Sequence, residues 1–156
     1  MNSKFPLFQP MAKAQEYVNP PKSQRPKIKG FKDYVEKHFG EFDFKEVRYI
    51  QPETPIYDSI LEMHRNLGRI QEGDELGGSC ARLPTGETVI YLVNKHKKGH
   101  KLPTFGLLYE MIHLAKPSMS GEEVERQTVK NLDSAEKHAR IFAHNTAHKR
   151  KKPYPK

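Results

Sequence analysis

Tyr109, Glu110 and His113 lie within the run Leu107-Leu108-Tyr109-Glu110-Met111-Ile112-His113-Leu114. On a helix, Tyr109 and His113 are one turn apart on one face, with Glu110 at the same rim. The run differs at one position from H-E-x-x-H, in which two histidines hold zinc and the glutamate is the general base. A hydrolytic zinc centre needs three protein ligands and one position open to water. The metal brings the pKa of that water to about 7, and a carboxylate takes its proton. Glu110 has the place of that base and His113 that of a ligand. Tyr109 stands where the first histidine would be. A phenol, with a pKa of about 10, binds zinc well only when the metal removes its proton. The third ligand must come from a later element, and His138, which opens His138-Ala139-Arg140-Ile141-Phe142, is the leading candidate. His96, His100, His144 and His148 are further imidazoles that could stand in for Tyr109.

The elements that position these residues follow from periodicity and caps. Residues 1–30 contain Pro6, Pro10, Pro20, Pro21 and Pro26 and are expected to form an extended arm, with Phe5, Leu7 and Phe8 as docking anchors. The globular domain is expected to span 31–148. Phe31, Tyr34, Val35, His38 and Phe39 have helical spacing up to Gly40. Phe42 to Ile50 is aromatic and β-branched and predicts a strand. Thr54 and Pro55 predict a helix start, Ile56, Ile60, Met63 and Leu67 its buried stripe, and Gly68 its stop. An acidic loop with Glu72, Asp74 and Glu75 leads to a hairpin, Ser79–Leu83 and Thr88–Val93, around Pro84-Thr85-Gly86-Glu87. The motif helix is expected over 103–115, with Phe105, Leu108, Ile112 and Ala115 as its apolar face. Ser120-Gly121-Glu122-Glu123 reads as a capping box opening a last helix, with Asn131-Leu132-Asp133-Ser134 as a candidate break within it. Residues 149–156 are a basic tail.

This order of pieces resembles the SprT-like zinc metallopeptidases, a family with members that act on DNA–protein crosslinks. The pieces are Gly77-Gly78-Ser79-Cys80-Ala81-Arg82, the strand over 88–93, the run from Leu107 to His113 and His138 to Phe142, and together they cover roughly 57–144. The chain departs from the family pattern at Tyr109, in place of the first zinc histidine, and at Ala139, in place of a glycine. The resemblance implies an α+β, SprT-like zincin-type domain, with a small antiparallel sheet packed on helices. It implies Glu110 as catalytic base, His113, His138 and Tyr109 at the metal position, and zinc as the cofactor, held weakly or lost. The function expected is that of a degenerate or weak zinc peptidase acting near nucleic acid. The alternative is a non-enzymatic nucleic-acid-associated or virion protein that reuses the fold, since compact phage-encoded members of the family exist.

Composition narrows the partners. The formal charge is +8, which favours acidic surfaces such as nucleic acid. Lys95, Lys97, Lys98 and Lys101 precede the motif helix, and Lys149, Arg150, Lys151 and Lys152 follow the last one, so both clusters are candidate phosphate contacts flanking one cleft. The single cysteine, Cys80, excludes an intramolecular disulfide and a multi-cysteine zinc site, and mid-strand it reads as a small buried residue. No run approaches the ~18 apolar residues of a membrane span, and the N-terminus lacks the apolar core of a signal peptide. A cytoplasmic, nucleic-acid-bound or virion location is expected, with the arm available to a protein partner.

Overall fold

A computed structural model of the chain describes residues 17–69, 76–95 and 101–151, the side chains of 148–151 excepted. Its strands are β1 (Tyr17–Val18), β2 (Glu46–Ile50), β3 (Gly78–Arg82) and β4 (Thr88–Val93). Its helices are α1 (Arg25–Phe39), α2 (Pro55–Asn66), α3 (Thr104–Ala115) and α4 (Gly121–Lys151). The fold is α+β. The four strands form one sheet in the order β1-β2-β4-β3. It is mixed rather than antiparallel: β3 and β4 make the expected hairpin, but β2 runs parallel to β4, with Val47 opposite Ile90. A parallel pair needs a crossover, and α2 with β3 supplies it.

Alternation along the strands divides the core into two layers. Val47, Tyr49, Cys80, Ile90 and Leu92 face α1, α3 and α4. Ile50, Ala81, Val89 and Tyr91 face α2 through Ile56 and Ile60. Thr54 caps α2, its hydroxyl accepting from the Tyr57 amide at 3.3 Å, and Gly68 closes the far end at a φ of 71°. The α2 stripe departs from expectation at its end. Leu67 is exposed, and His64, four residues after Ile60, takes the inward position.

Helix α3 is enclosed on most sides. Leu107, Leu108, Met111 and Ile112 are fully buried, whereas Phe105, expected on the apolar face, is exposed. The helix lies between the sheet and the α1–α4 pair, so its interior face is far wider than a single stripe. Helix α4 is unbroken through Asn131–Ser134. Asn131 donates to the Gln127 carbonyl at 2.8 Å and accepts from the Tyr34 hydroxyl at 2.6 Å, so its polarity is satisfied without leaving the helix. Ser120 caps α4 by accepting from the Glu123 amide at 3.1 Å, while the Glu123 carboxylate turns along the helix to Arg126 and Gln127.

The start of the fold lies earlier than expected. Helix α1 begins at Arg25, not near Phe31, with Pro26 in its first turn, where proline is tolerated. Tyr17 pairs with Ile50 across β1 and β2, and the Tyr49 hydroxyl donates to Gln24. Residues 17–30 are therefore part of the domain. The anchors Phe5, Leu7 and Phe8, and the acidic loop at Glu72, Asp74 and Glu75, lie outside the described residues.

Gly30 is where α1 meets α4. A Cβ there would stand 2.7 Å from the Ala139 Cα and 3.1 Å from its carbonyl oxygen. Replacing Gly30 by alanine gains about 1 kcal/mol of helix propensity, but it drives a methyl into backbone that cannot step aside. With overpacking against backbone near the top of its usual range of about 1–3 kcal/mol, Gly30→Ala should destabilise the chain by about 1–2 kcal/mol net. Urea unfolding measures this, and an unchanged or higher midpoint would mean that the helices separate freely at this point.

Candidate functional site

Two glycines lie where the motif helix packs on β3. A Cβ on Gly106, in the first turn of α3, would meet the Gly77 carbonyl at 3.5 Å. One on Gly78 would stand 2.8 Å from the Tyr91 carbonyl and 3.5 Å from the Glu110 Cγ. Glu110 lies beside Gly78, against the strand. The Cys80 thiol donates to the Glu110 Oε1 at 3.1 Å. Burial lifts the Glu110 carboxyl to about 7, and the thiol bond and the charge of Arg69 offset only part of that. The same burial, with Glu110 beside it, pushes the Cys80 thiol well up and keeps it protonated.

These groups border a cleft of about 340 Å³ at the outer edge of β3. Its polar lining comprises His64, Arg69, Ser79, Cys80, Tyr109, Glu110, His113 and Glu125. Successive residues of β3 point to opposite faces, so Cys80 meets α3 while Ser79 meets α2, where its Oγ lies 2.8 Å from the His64 Nε2. The cleft thus wraps around the strand edge. Burial lowers His64 to about 4, helped by the charges of Arg69 and His113. Burial and Arg69 also lower His113. Burial, Glu110 and Glu125 raise the Tyr109 phenol. At neutral pH both imidazoles and the phenol are therefore uncharged, and Glu110 is near half-protonation.

Of the residues expected to share a metal, Tyr109, Glu110 and His113 border one space and His138 does not. His138 lies between α1 and α4, with its Nε2 2.8 Å from the Asp33 Oδ2 and its ring edge-on to Tyr34 at 5.7 Å. Thr104 donates to Glu136 at 2.6 Å, which sets this part of α4 beside the start of α3. His113 is nine residues further along α3, roughly 13 Å of helical rise. The separation has a simple cause. After one short turn the chain re-enters a helix at Gly121, and seventeen residues of that helix carry His138 past the cleft. The segment of α4 at the site is its N-terminus: a Cβ on Gly121 would stand 3.7 Å from the Tyr109 hydroxyl, and Glu125 lines the cleft.

The three residues expected to hold zinc do not form one centre, because the His138 imidazole is held by Asp33 at 2.8 Å, away from Tyr109 and His113. Among the described residues no three His, Cys, Asp or Glu side chains come together as a metal-binding group. The basic clusters also separate. Lys95 and Lys101 are exposed where β4 ends and α3 begins, joined by a 2.9 Å bond from the Asn94 amide to the Lys101 carbonyl. Lys97, Lys98 and Lys152 lie outside the described residues, as do His96 and His100. Lys149, Arg150 and Lys151 continue α4 instead of forming a tail, about 36 Å of helix beyond Glu125, so they do not flank the cleft.

His64, Arg69, Ser79 and Glu125 belong to the site and were not singled out from the sequence. Only His64 carried a signal, as a polar residue in register with Ile56 and Ile60 on the buried face of α2. No family model, no curated protein and no solved structure matches the chain.

The shifts of Glu110 and His64 have opposite effects on stability. Folding raises Glu110 from its ordinary 4.5 to about 7, so the folded state holds the extra proton and Glu110 lowers stability as pH rises through that window. Folding lowers His64 from 6.5 to about 4, so the unfolded state holds that proton and stability rises with pH across that window. Glu110→Gln removes the first trend and leaves the second. Relative to the parent, the variant should gain on the order of 2–3 kcal/mol between about pH 5 and about pH 7.5. Urea unfolding at both values tests this, and a pH-independent difference would show that the Glu110 carboxyl is not desolvated.

Proposed function

We propose that this chain is a degenerate relative of the SprT-like zinc metallopeptidases that holds a polypeptide beside nucleic acid without efficient hydrolysis. The observation that carries the reading is the state of the ligand positions: a protonated phenol at Tyr109 and an imidazole committed to Asp33 at His138. The base position, Glu110, is capped by the Cys80 thiol. The chain keeps the shape of a hydrolytic cleft and gives up the groups that activate water.

Polypeptide is the ligand favoured by the edge of β3. That strand ends the sheet, so one side of its backbone has no strand partner among the described residues, and that side borders the cleft. An extended chain can add there by main-chain hydrogen bonds, with Phe105 and Leu76 offering apolar contact. Lys95 and Lys101, at the same end of the sheet, give sequence-independent phosphate contacts.

Metal content and turnover test the reading together. After dialysis against a mild chelator, the purified chain should retain substoichiometric zinc and bind a labelled unfolded polypeptide without cutting it. Tyr109→His places two imidazoles one helical turn apart and should raise zinc retention. Cleavage should stay at background, because His138 remains on Asp33. One-to-one zinc in the parent, with cleavage lost in Glu110→Gln, would overturn the proposal and restore a working peptidase.

A further inference from the structure

Away from the cleft, α1 and the start of β2 enclose a second groove of about 450 Å³. It lies at the β1–β2 side of the sheet, the opposite edge from β3. Arg25, Lys29 and Lys32 follow one another along its α1 wall at spacings of four and three residues, and Lys45 faces them from the segment before β2. One acid, Glu46, lines the groove, and its carboxylate is taken by the Arg48 guanidinium at 2.6 Å. Lys32 pairs with Glu36 at 2.9 Å and Lys45 with Glu87 at 3.6 Å. Both are solvent-accessible pairs of the kind worth about 1 kcal/mol or less, which a phosphate can displace. Neither Arg25 nor Lys29 forms a salt bridge with an acid among the described residues.

The floor of the groove is apolar. Ile28 and Val47 are buried there, and half-buried Phe44 forms part of the wall. The Phe44 ring lies nearly parallel to Phe42, 16° apart with centroids at 5.9 Å, and Phe42 is itself buried in the core. The Lys32 ammonium stands 5.5 Å from the Phe42 ring. A flat ring backed by the core, beside a row of cations, is the arrangement that takes a nucleobase and its phosphates together.

We propose that this groove binds single-stranded nucleic acid, with the backbone on Arg25, Lys29, Lys32 and Lys45 and one base against Phe44. An acidic peptide would answer the cations and leave the ring and the apolar floor without a partner. A duplex would also answer the cations, but its base faces are stacked inside the helix. The groove volume is within the range of small-ligand sites and suits about one nucleotide. The proposal rests on the preceding reading only in taking nucleic acid as the partner, and it places the main contact on the other side of the sheet.

The test is fluorescence anisotropy of the full chain with labelled oligothymidylate, oligouridylate, a matched DNA duplex and a polyglutamate competitor. The parent should bind the single strands more tightly than the duplex, with affinity falling steeply as salt rises. Arg25→Gln with Lys29→Gln, both on exposed positions, should weaken single-strand binding at least tenfold and reduce the log–log salt slope by about 1.4. Phe44→Leu keeps apolar volume but removes the flat ring. It should weaken single-strand binding about fivefold or more, leave the salt slope unchanged and leave duplex binding as in the parent. Parent-like binding in both variants would overturn the proposal, and so would equal losses for strand and duplex in Phe44→Leu or full displacement by polyglutamate. Lys95→Gln with Lys101→Gln separates the two readings. Loss there, with parent-like groove variants, would keep the nucleic-acid partner at the cleft and reject the groove. Loss in the groove variants alone would do the reverse.

Discussion

A carboxyl group taken out of water stays charged only where something replaces its hydration. Inside this fold Glu110 has a single thiol from Cys80 and the field of Arg69, and these do not compensate, so the group is poised near about 7. That burial depends on geometry supplied from elsewhere. Helix α3 packs on β3 beside Gly78 and Gly106, and the contact of α1 with α4 at Gly30 closes the layer behind α3. Fully buried Leu107, Leu108, Met111 and Ile112 hold the helix from the other sides. Moving any of these walls would admit water to Glu110 and return it to an ordinary surface acid.

The same burial explains why the two candidate sites differ in chemistry. Around the cleft, low dielectric suppresses charge on His64, His113 and Tyr109 alike, so the groups there meet a ligand by hydrogen bonds and shape. The groove along α1 keeps its cations at the surface over an apolar floor. The cleft sets its uncharged groups beside one cation, Arg69, and one surface acid, Glu125, so the protein's positive charge is not concentrated there. The sheet separates cleft from groove, with β3 at one edge and β1 at the other.

What was legible in the sequence is what local chemistry specifies. Thr54, Pro55 and Gly68 bound α2 because capping and left-handed backbone are decided within a few residues, and the Pro84–Glu87 turn sets the hairpin for the same reason. The motif residues Tyr109, Glu110 and His113 meet because one helical turn brings them together. Long-range choices were not legible. The parallel pairing of β2 with β4 needs partners more than forty residues apart. His138 opens a run resembling the family pattern for a third ligand, yet it lies in mid-helix, where Asp33 and Tyr34 of α1 contact its ring. Asn131 looked like a helix breaker because its partners, Gln127 and Tyr34, are visible only once α1 and α4 are packed together. His64 was hidden inside an apolar stripe that Met63 and Leu67 appeared to complete.

The mixed sheet also dictates an order of assembly. The β3–β4 hairpin closes over a five-residue connection, Leu83–Glu87, and can form early at little entropic cost. The β2–β4 pair must enclose α2, the following loop and β3 before its first hydrogen bond forms. Pairing of this kind slows folding, since loop entropy is spent before the contacts repay it. Strand β2 then finds its place after the hairpin, and β1 can pair only onto it, in the register that brings Tyr17 onto Ile50 and Gln24 under Tyr49. Until that moment β4 presents its inner edge, Val89 to Val93, uncovered and wholly apolar or aromatic. During synthesis that edge is the part of the chain most exposed to pairing with a neighbouring copy, and the arrival of β2 is what ends the hazard.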